Sequence, residues 1–196
     1  MSHHIYTTSG FVVESYPHGE AGKFISIFTR DLGMIAGVAQ GIRLSASKLR
    51  YHTQDFSLAT FSLVRGKEVW RIIGAEQEKN AHIHRAISSP STLFIQILKI
   101  LKRLVAGEEK NEELFDVVLT AYYFLQKPEL DQTTLRNAEY IIMLRILHRL
   151  GYIRSIVTLE PFLKDNSFTD ELFQAMTPLK TIALKEINTA LKESHL

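Results

Sequence analysis

The sequence predicts an α+β protein in which an N-terminal five-stranded β-barrel is followed by an all-helical domain. Two observations carry this prediction. Up to about residue 75 the apolar residues form short runs rich in Val, Ile, Phe and Thr, separated by Gly, Pro and charged pairs, which is typical of strands and turns. Beyond that point the apolar residues recur at helical spacing. We therefore place a barrel domain at 1–79 and a helical domain at 80–196.

Five strands are predicted in the first domain. The turns at 17–20, 30–33 and 65–67 each contain a glycine, which suits a tight reversal with a positive φ. The connection after the third strand is longer, and Ser45 is predicted to cap a single helical turn there. Five strands with a long connection between the third and the fourth are the plan of the OB-fold, a small Greek-key barrel. The predicted strands are residues 6–15, 23–29, 34–39, 56–64 and 68–74.

The second domain is predicted to contain five helices, one of them short. Ser89 is predicted to cap the first helix, with Pro90 at its first position. Gly151 is predicted to end the third helix, and Thr177 to cap the last, with Pro178 at its first position. The predicted helices are residues 90–106, 111–126, 135–150, 170–176 and 178–193.

Composition and charge exclude several classes of protein. The formal net charge is +2, which is too small to indicate nucleic-acid binding without a local cluster of cations. The sequence contains no cysteine, which excludes disulfides, thiolate zinc sites, iron–sulfur clusters and cysteine nucleophiles. Because no signal peptide and no long apolar segment can be recognised, we expect a soluble, cytoplasmic protein that does not engage a membrane.

The sequence offers no constellation for catalysis or metal binding. His82 and His84 are two residues apart, but no third ligand follows at a suitable spacing. A nucleophile elbow, a phosphate-binding glycine loop, paired acids on one face and an HExxH helix are all absent. We therefore predict a protein that is not an enzyme and has no catalytic residue, no metal site and no cofactor.

An ordered series of short motifs runs through the barrel region: GFVV at 10–13, GE at 19–20, IFTRDLG at 27–33, VAQGIR at 38–43, SKLR at 47–50 and QDF at 54–56. This series resembles the N-terminal OB-fold domain of the RecO family of recombination mediators. Each motif is weak alone, but their order and spacing together are a stronger signal. In the helical region, RLGY at 149–152 is similar to the LGY that closes a central helix in that family.

The sequence departs from the family pattern in two respects. Many members carry a four-cysteine zinc module after the LGY motif, whereas this sequence has no cysteine. The family also often has Lys at the position of Gln40, and further basic residues where Leu44 stands. The positive charge available to DNA is therefore lower than the resemblance alone implies.

The resemblance implies a function in DNA repair and homologous recombination. It implies a protein that binds single-stranded DNA, anneals complementary strands and helps to load the RecA recombinase together with RecR. In the family, the helical region receives the acidic, hydrophobic C-terminal tail of single-stranded DNA-binding protein. The implied partners are therefore single-stranded DNA, RecR, that tail and, indirectly, RecA.

Basic residues gather in the connection between the third and fourth predicted strands, and no acidic residue lies between Asp31 and Asp55. A basic loop beside an OB barrel suits backbone phosphates, and exposed aromatic rings suit stacking of bases. For stacking we favour Tyr51 over Tyr16, His52 and Trp70, since Trp70 is more simply explained as part of the barrel wall. The predicted DNA-binding residues are Arg30, Arg43, Lys48, Arg50, Tyr51, Lys67 and Arg71, with Lys23 and Arg65 as weaker candidates.

The third predicted helix carries basic residues beside its apolar face. A pocket for an acidic, hydrophobic tail needs apolar walls edged by Arg or Lys. Such a stripe also occurs as the ordinary solvent-exposed face of a helix. The predicted partner-binding residues are Arg136, Arg145, Arg149 and Arg154.

Two other functions are compatible with the sequence. The first is a protein-interaction adaptor whose OB-fold has lost most of its affinity for DNA, which Gln40 and Leu44 favour. The second is a hydrolase with its site in a cleft between the domains, for which no catalytic residues can be named. The loop cations also have a simpler explanation, as solvated charges that keep the loop soluble.

Overall fold

The structure, a computed structural model, describes residues 4–44, 47–78, 88–154 and 156–194. Contacts divide the chain into a barrel unit, Met1–Arg85 with Val105–Glu112, and a helical unit, Ala86–Leu104 with Glu113–Leu196. The boundary predicted between residues 79 and 80 lies outside the described residues. The segment 105–112, which the sequence-based division assigned to the helical domain, belongs to the barrel unit.

Five strands close the barrel in the order β1-β2-β3-β5-β4. All neighbouring strands are antiparallel except β3 and β5, which run parallel and pair at Gly37 with Trp70 and at Val38 with Arg71. This order and the long connection after β3 are those of an OB-fold, which confirms the predicted barrel. The strands are β1 (Ile5–His18), β2 (Gly22–Thr29), β3 (Gly33–Ala39), β4 (Leu58–Arg65) and β5 (Trp70–Gln77).

Alternation along each strand places one set of side chains inside the barrel. Ile25 and Ile27 of β2 point inward and are fully buried. Phe24 of the same strand lies on the outer face and is half-buried. Trp70 is only 3% exposed and packs in the interior with Ile72, two residues further along β5. The barrel core is therefore built mainly from β-branched residues and includes the indole of Trp70.

The turn glycines do not all act through a positive φ. Gly19 and Gly33 have φ values of 61° and 69°, as the sequence predicts. Gly66 does not have a positive φ, so that part of the prediction is wrong. A Cβ at Gly66 would instead lie 2.2 Å from the carbonyl oxygen of Val69, so this turn needs glycine for close backbone approach.

The helices follow the predicted order with small shifts at their ends. A four-residue helix, α1, lies in the connection between β3 and β4, and a 3₁₀ turn at Thr177–Leu179 precedes the last helix. Among the described residues, no helix is both long and apolar enough to cross a membrane. The helices are α1 (Leu49–His52), α2 (Ser89–Leu104), α3 (Glu112–Leu125), α4 (Gln132–Arg149), α5 (Asp170–Met176) and α6 (Lys180–Glu193).

Several helix caps differ from the prediction. The hydroxyl oxygen of Ser88, not of Ser89, accepts a hydrogen bond from the Ser91 amide of α2, at 3.4 Å. Asp131 caps α4, so this helix begins three residues before its predicted start. Thr177 does not cap α6, because its hydroxyl donates back to the Phe173 carbonyl oxygen at 3.2 Å. The predicted cap Ser45 lies outside the described residues.

Candidate nucleic-acid interface

Three cations of the barrel unit line one surface cavity of ≈ 300 Å³. Lys23 comes from the start of β2, Arg43 from the turn after β3, and Arg50 from α1. Ile42 and Thr53, both buried, complete the lining. The structure thus brings together two of the predicted DNA-binding residues and one weaker candidate that lies about 20 residues earlier in the sequence.

Buried neighbours fix the backbone around this cavity. The amide of Arg43 donates to the carbonyl oxygen of Ala21 at 3.0 Å, which ties the turn after β3 to the start of β2. Ile42 is 1% exposed and packs into the barrel core beside this bond. At the other side of the cavity, the Thr53 hydroxyl donates to the Leu49 carbonyl oxygen at 2.7 Å and ends α1. The charged groups of the two arginines are therefore presented at the surface from an anchored backbone.

Lys48 and Tyr51 belong to the same short helical region but do not line the cavity. Lys48 occupies the N-cap position of α1 and is exposed. Tyr51 follows Arg50 directly and is 61% exposed. Both side chains are therefore exposed close in sequence to Arg50, which does line the cavity.

One carboxylate lies closer to the cavity than the charge pattern suggests. Lys23 Nζ donates to the hydroxyl oxygen of Ser15 at 3.1 Å, and that hydroxyl donates to Asp55 Oδ1 at 2.5 Å. Asp55 thus connects to Lys23 through Ser15 and offsets part of its positive charge. Sequence reasoning missed this because the relation depends on the β1–β2 pairing, which places Ser15 opposite Ile25 and beside Lys23.

Arg30 and Lys67 are not brought to this cavity. Arg30 follows the far end of β2, seven residues from Lys23, which corresponds to roughly 23 Å at about 3.3 Å per residue. Lys67 lies in the turn between β4 and β5, two residues after Arg65, whose guanidinium pairs with Glu108. Asp31 at the Arg30 turn pairs with Lys110 at 3.6 Å. These two turns therefore carry mixed charge.

Trp70 and Arg71 adjoin in sequence but have opposite environments. The Trp70 indole nitrogen donates to Glu108 Oε1 at 3.1 Å, and the Arg65 guanidinium lies 4.8 Å from the ring centre. These contacts and its burial exclude Trp70 as a platform for bases. Arg71 is exposed on the outer face of β5, opposite Val38 of β3.

Of the four predicted partner-binding residues, Arg136 lines a surface cavity. That cavity measures ≈ 420 Å³ and lies between the start of α2 and α4, with Leu93 and Leu135 among its walls and Glu139 at its edge. Arg149 pairs with Glu113 at 2.5 Å, and Arg154 is exposed after the end of α4. The stripe predicted from the sequence is therefore divided between different environments.

Arg145 is part of the interior, since it is 2% exposed. Its Nε donates to the Phe162 carbonyl oxygen and its Nη2 to the Ser167 carbonyl oxygen, both at 2.8 Å. Burial lowers the pKa of the guanidinium to about 10, with the carboxylate of Asp165 opposing that change, so the group remains charged at neutral pH. Arg145 fastens the segment after α4 to that helix, and its burial removes it from any partner-binding surface.

One functional candidate was not identified from the sequence at all. Phe24 lies on the outer face of β2 directly opposite Tyr16 of β1, and the two rings stack with centroids 5.0 Å apart. Alternation along 23–28 places Phe24 on the face opposite to Ile25, which could have indicated its exposure. The pairing with Tyr16 required the register of the hairpin. His82 and His84 lie outside the described residues.

Residues 1–80 match the family model described as "Recombination protein O N terminal". Several curated relatives carry the name DNA repair protein RecO. The chain is 28% identical to that of Dehalococcoides mccartyi over 131 residues, which is 67% of this chain and 50% of the relative. It is 28% identical to that of Heliobacterium modesticaldum over 149 residues, 76% of this chain and 52% of the relative.

A further relative of the same name, from Rubrobacter xylanophilus, is 35% identical over 134 residues, 60% of this chain and 54% of the relative. The chain thus spans about half the length of the curated relatives it matches. The matched residues form the closed barrel described above, and the matches to relatives extend beyond it. These similarities show that the N-terminal barrel resembles the N-terminal domain of the RecO family, and that the similarity to proteins named DNA repair protein RecO continues beyond the barrel.

Proposed function

We propose that this chain acts in DNA repair and homologous recombination by holding single-stranded DNA on its barrel unit. The observation that carries the proposal is the convergence of Lys23, Arg43 and Arg50 on one cavity. Three cations on an anchored backbone suit successive phosphates of a flexible strand, because each neutralised phosphate releases bound counterions. The names of the relatives, all DNA repair proteins, support the same function.

The proposal includes the finer activities of a recombination mediator. The protein anneals complementary strands and, with RecR, helps to load RecA, while its helical unit receives the tail of single-stranded DNA-binding protein. Leu93, Leu135 and Arg136 in the lining of the second cavity support the last point, since they combine two apolar side chains with one cation. The protein acts by binding and needs neither catalysis nor a cofactor.

The test is the salt dependence of binding to a labelled oligothymidine. We expect binding at low salt that weakens steeply as salt is added. The slope of the logarithm of the binding constant against the logarithm of the salt concentration should be smaller for the double variant Arg43→Gln, Arg50→Gln. Removing the cation from one phosphate lowers the slope by about 0.7 for single strands, so the expected decrease for two cations is about 1.4. Strand annealing should be slower in the same variant.

A matched control removes two cations from the exposed side of α6, with Lys185→Gln and Lys192→Gln. This variant has the same net charge as the first and should retain the wild-type slope. Equal slopes in all three proteins would contradict the choice of cavity. Absence of oligothymidine binding by the wild type at low salt would contradict the DNA-binding function itself.

The alternative function is a protein-interaction adaptor. Gln40 stands where the family often has Lys, and Leu44, next to Arg43, is 59% exposed. An exposed leucine beside the cavity suits a protein surface better than a phosphate backbone. The adaptor is the function that would remain if the wild type bound no DNA.

A further inference from the structure

A row of side chains crosses the outer face of the barrel on four strands. Tyr16 of β1 lies directly opposite Phe24 of β2, Phe24 opposite Val38 of β3, and Val38 opposite Arg71 of β5. Directly opposite residues of paired strands have side chains on the same face, so these four form one continuous row. The row starts at an aromatic pair and ends at a cation.

The aromatic end of the row is exposed and already ordered. The rings of Tyr16 and Phe24 are nearly parallel, with 21° between their planes and 5.0 Å between their centroids. Tyr16 is 47% exposed, although a tyrosine on a sheet would commonly be covered on at least one side. The ring centroid of His18 lies 6.4 Å from that of Phe24, so His18 extends the aromatic group toward the turn between β1 and β2.

The pairing of the strands explains why Tyr16 is open. Among the described residues, β4 pairs with β1 only from Ile5 to Phe11, so β1 has no strand beside it at Tyr16 on the side away from β2. One face of the Tyr16 ring rests on Phe24, and the other has no strand to cover it. A flat, pre-ordered ring with a free face is what a nucleobase needs for stacking.

We infer that Tyr16, supported by Phe24, is a stacking platform for the bases of single-stranded DNA, and that Arg71 binds a phosphate at the other end of the same row. This inference rests on the proposed function and names where the bases lie. The outer face of β2 and β3 and the turns after β1 and β4 are the surfaces that OB barrels offer to oligonucleotides. The row occupies that face.

The charges around the row suit bases at the Tyr16 end and a phosphate at the Arg71 end. Glu14, on the same face of β1, and Glu20, in the following turn, are both exposed. Carboxylates near Tyr16 disfavour phosphates there, so the ring offers stacking and not charge. Arg71, at the opposite end of the row, supplies the positive charge. Tyr51, the stacking residue preferred from the sequence, is not part of this row. Among the ring contacts of the described residues, none supports the Tyr51 ring.

The test compares two labelled probes, an oligothymidine and an abasic oligomer of the same length with the same phosphates. In Tyr16→Ala we expect oligothymidine affinity to fall about fivefold or more, since a stacked base contributes about a factor of five at the lower end of its usual range. Affinity for the abasic oligomer and the salt slope should not change. Tyr16→Phe keeps the ring and should bind oligothymidine within about twofold of wild type.

The control for removal of a tyrosine is Tyr123→Ala, because Tyr123 is 39% exposed on α3 and belongs to no proposed interface. It should bind both probes as the wild type does, and circular dichroism should show that every variant is folded. The inference is overturned if Tyr16→Ala binds oligothymidine like the wild type, in which case this face serves another occupant such as an apolar protein segment. It is also overturned if Tyr16→Ala loses both probes equally, or if Tyr16→Phe loses as much as Tyr16→Ala.

These outcomes are distinct from failure of the proposed function. If the wild type binds neither probe at low salt, the DNA-binding function falls and the platform with it. If the wild type binds both probes and only the Arg43→Gln, Arg50→Gln variant changes, the function stands and the platform is overturned.

Discussion

Gly33 is the first residue of β3, directly after the turn from β2, and the backbone of Glu109 packs against it. Its φ is 69°, and a Cβ there would lie 2.4 Å from the Glu109 carbonyl oxygen. Gly19 has a similar φ of 61° in the turn between β1 and β2, but a Cβ there would meet nothing within 4 Å. A comparison of alanine substitutions at the two glycines therefore distinguishes the cost of a positive φ from the cost of a steric clash.

We expect Gly33→Ala to lower the free energy of unfolding by clearly more than Gly19→Ala does. The strain of a positive φ at alanine costs about 1–2 kcal/mol at either position. At Gly33 the clash with a backbone oxygen adds to this, for a total of about 3 kcal/mol or more. Urea titration of the two variants measures the difference, and equal losses would show that the segment 105–112 moves away at little cost.

The sequence was informative for single residues where local chemistry decides the outcome. Gly19 and Gly33 were predicted from turn patterns, and Trp70 was predicted as part of the barrel wall. Arg145 was misjudged because helical periodicity places it near a polar stripe, and nothing local shows that residues 160–168 fold over it. The platform residue Phe24 was missed for the same reason, since its partner comes from a neighbouring strand.

At the scale of elements, the N-terminus of α4 shows how a cap sets the start of a helix. Asp131 Oδ1 accepts hydrogen bonds from the Thr133 amide at 2.7 Å and from the Thr134 amide at 3.0 Å, and its other oxygen accepts from the Thr134 hydroxyl. Hydrogen bonds from the Thr134 side chain and backbone, with a smaller contribution from Thr133, hold the pKa of this carboxyl below its usual value of 3.8.

The lowered pKa of Asp131 predicts a pH-dependent contribution of α4 to stability. A carboxyl whose pKa is lower in the folded state stabilises that state above the usual value of 3.8, and the contribution is lost as the pH falls through the folded-state pKa. We expect Asp131→Asn to be less stable than the wild type at neutral pH, and the difference to disappear in acid. Thermal unfolding over a pH series measures this, and parallel profiles for the two proteins would contradict it.

Element boundaries were predictable where a stop signal is local and less so where a cap precedes the apolar pattern. Gly151 ends α4 as predicted, with the Tyr152 amide donating to the Leu147 carbonyl oxygen at 2.9 Å. The start of α4 was placed late because Gln132 and the two threonines after Asp131 carry no apolar periodicity. The short helix α5 was predicted at its observed bounds, since Thr169 and Met176 delimit a clear pattern.

At the scale of the whole molecule, the chain enters the barrel unit twice. Residues 105–112 leave the end of α2, contact the barrel and return to the start of α3. There the Met34 amide donates to the Gly107 carbonyl oxygen at 3.1 Å, and Glu108 accepts from the Trp70 indole at 3.1 Å. The segment that joins α2 to α3 is therefore held on the barrel unit.

The single tryptophan makes this connection measurable. Trp70 fluorescence reports the barrel unit, whereas circular dichroism mainly reports the helices. We expect Glu108→Gln to lower stability by about 1 kcal/mol, because it weakens the charged hydrogen bonds, and to shift both transitions together. Glu109→Gln makes the same charge change one residue later, where the backbone makes the contact with Gly33, and should shift neither. A shift in fluorescence alone would mean that the units unfold separately.

The second entry of the chain into the barrel also decides how the protein can be divided. A fragment ending near residue 80 would contain every strand and every residue of the matched family region, yet it would lack the acceptor for the Trp70 indole and the backbone that covers Gly33. Excising the barrel for structural or binding work therefore requires 105–112 to be supplied, either as a fused peptide or by joining residue 78 to this segment through a linker. The residues of the matched family region and those of the compact barrel unit therefore have different boundaries.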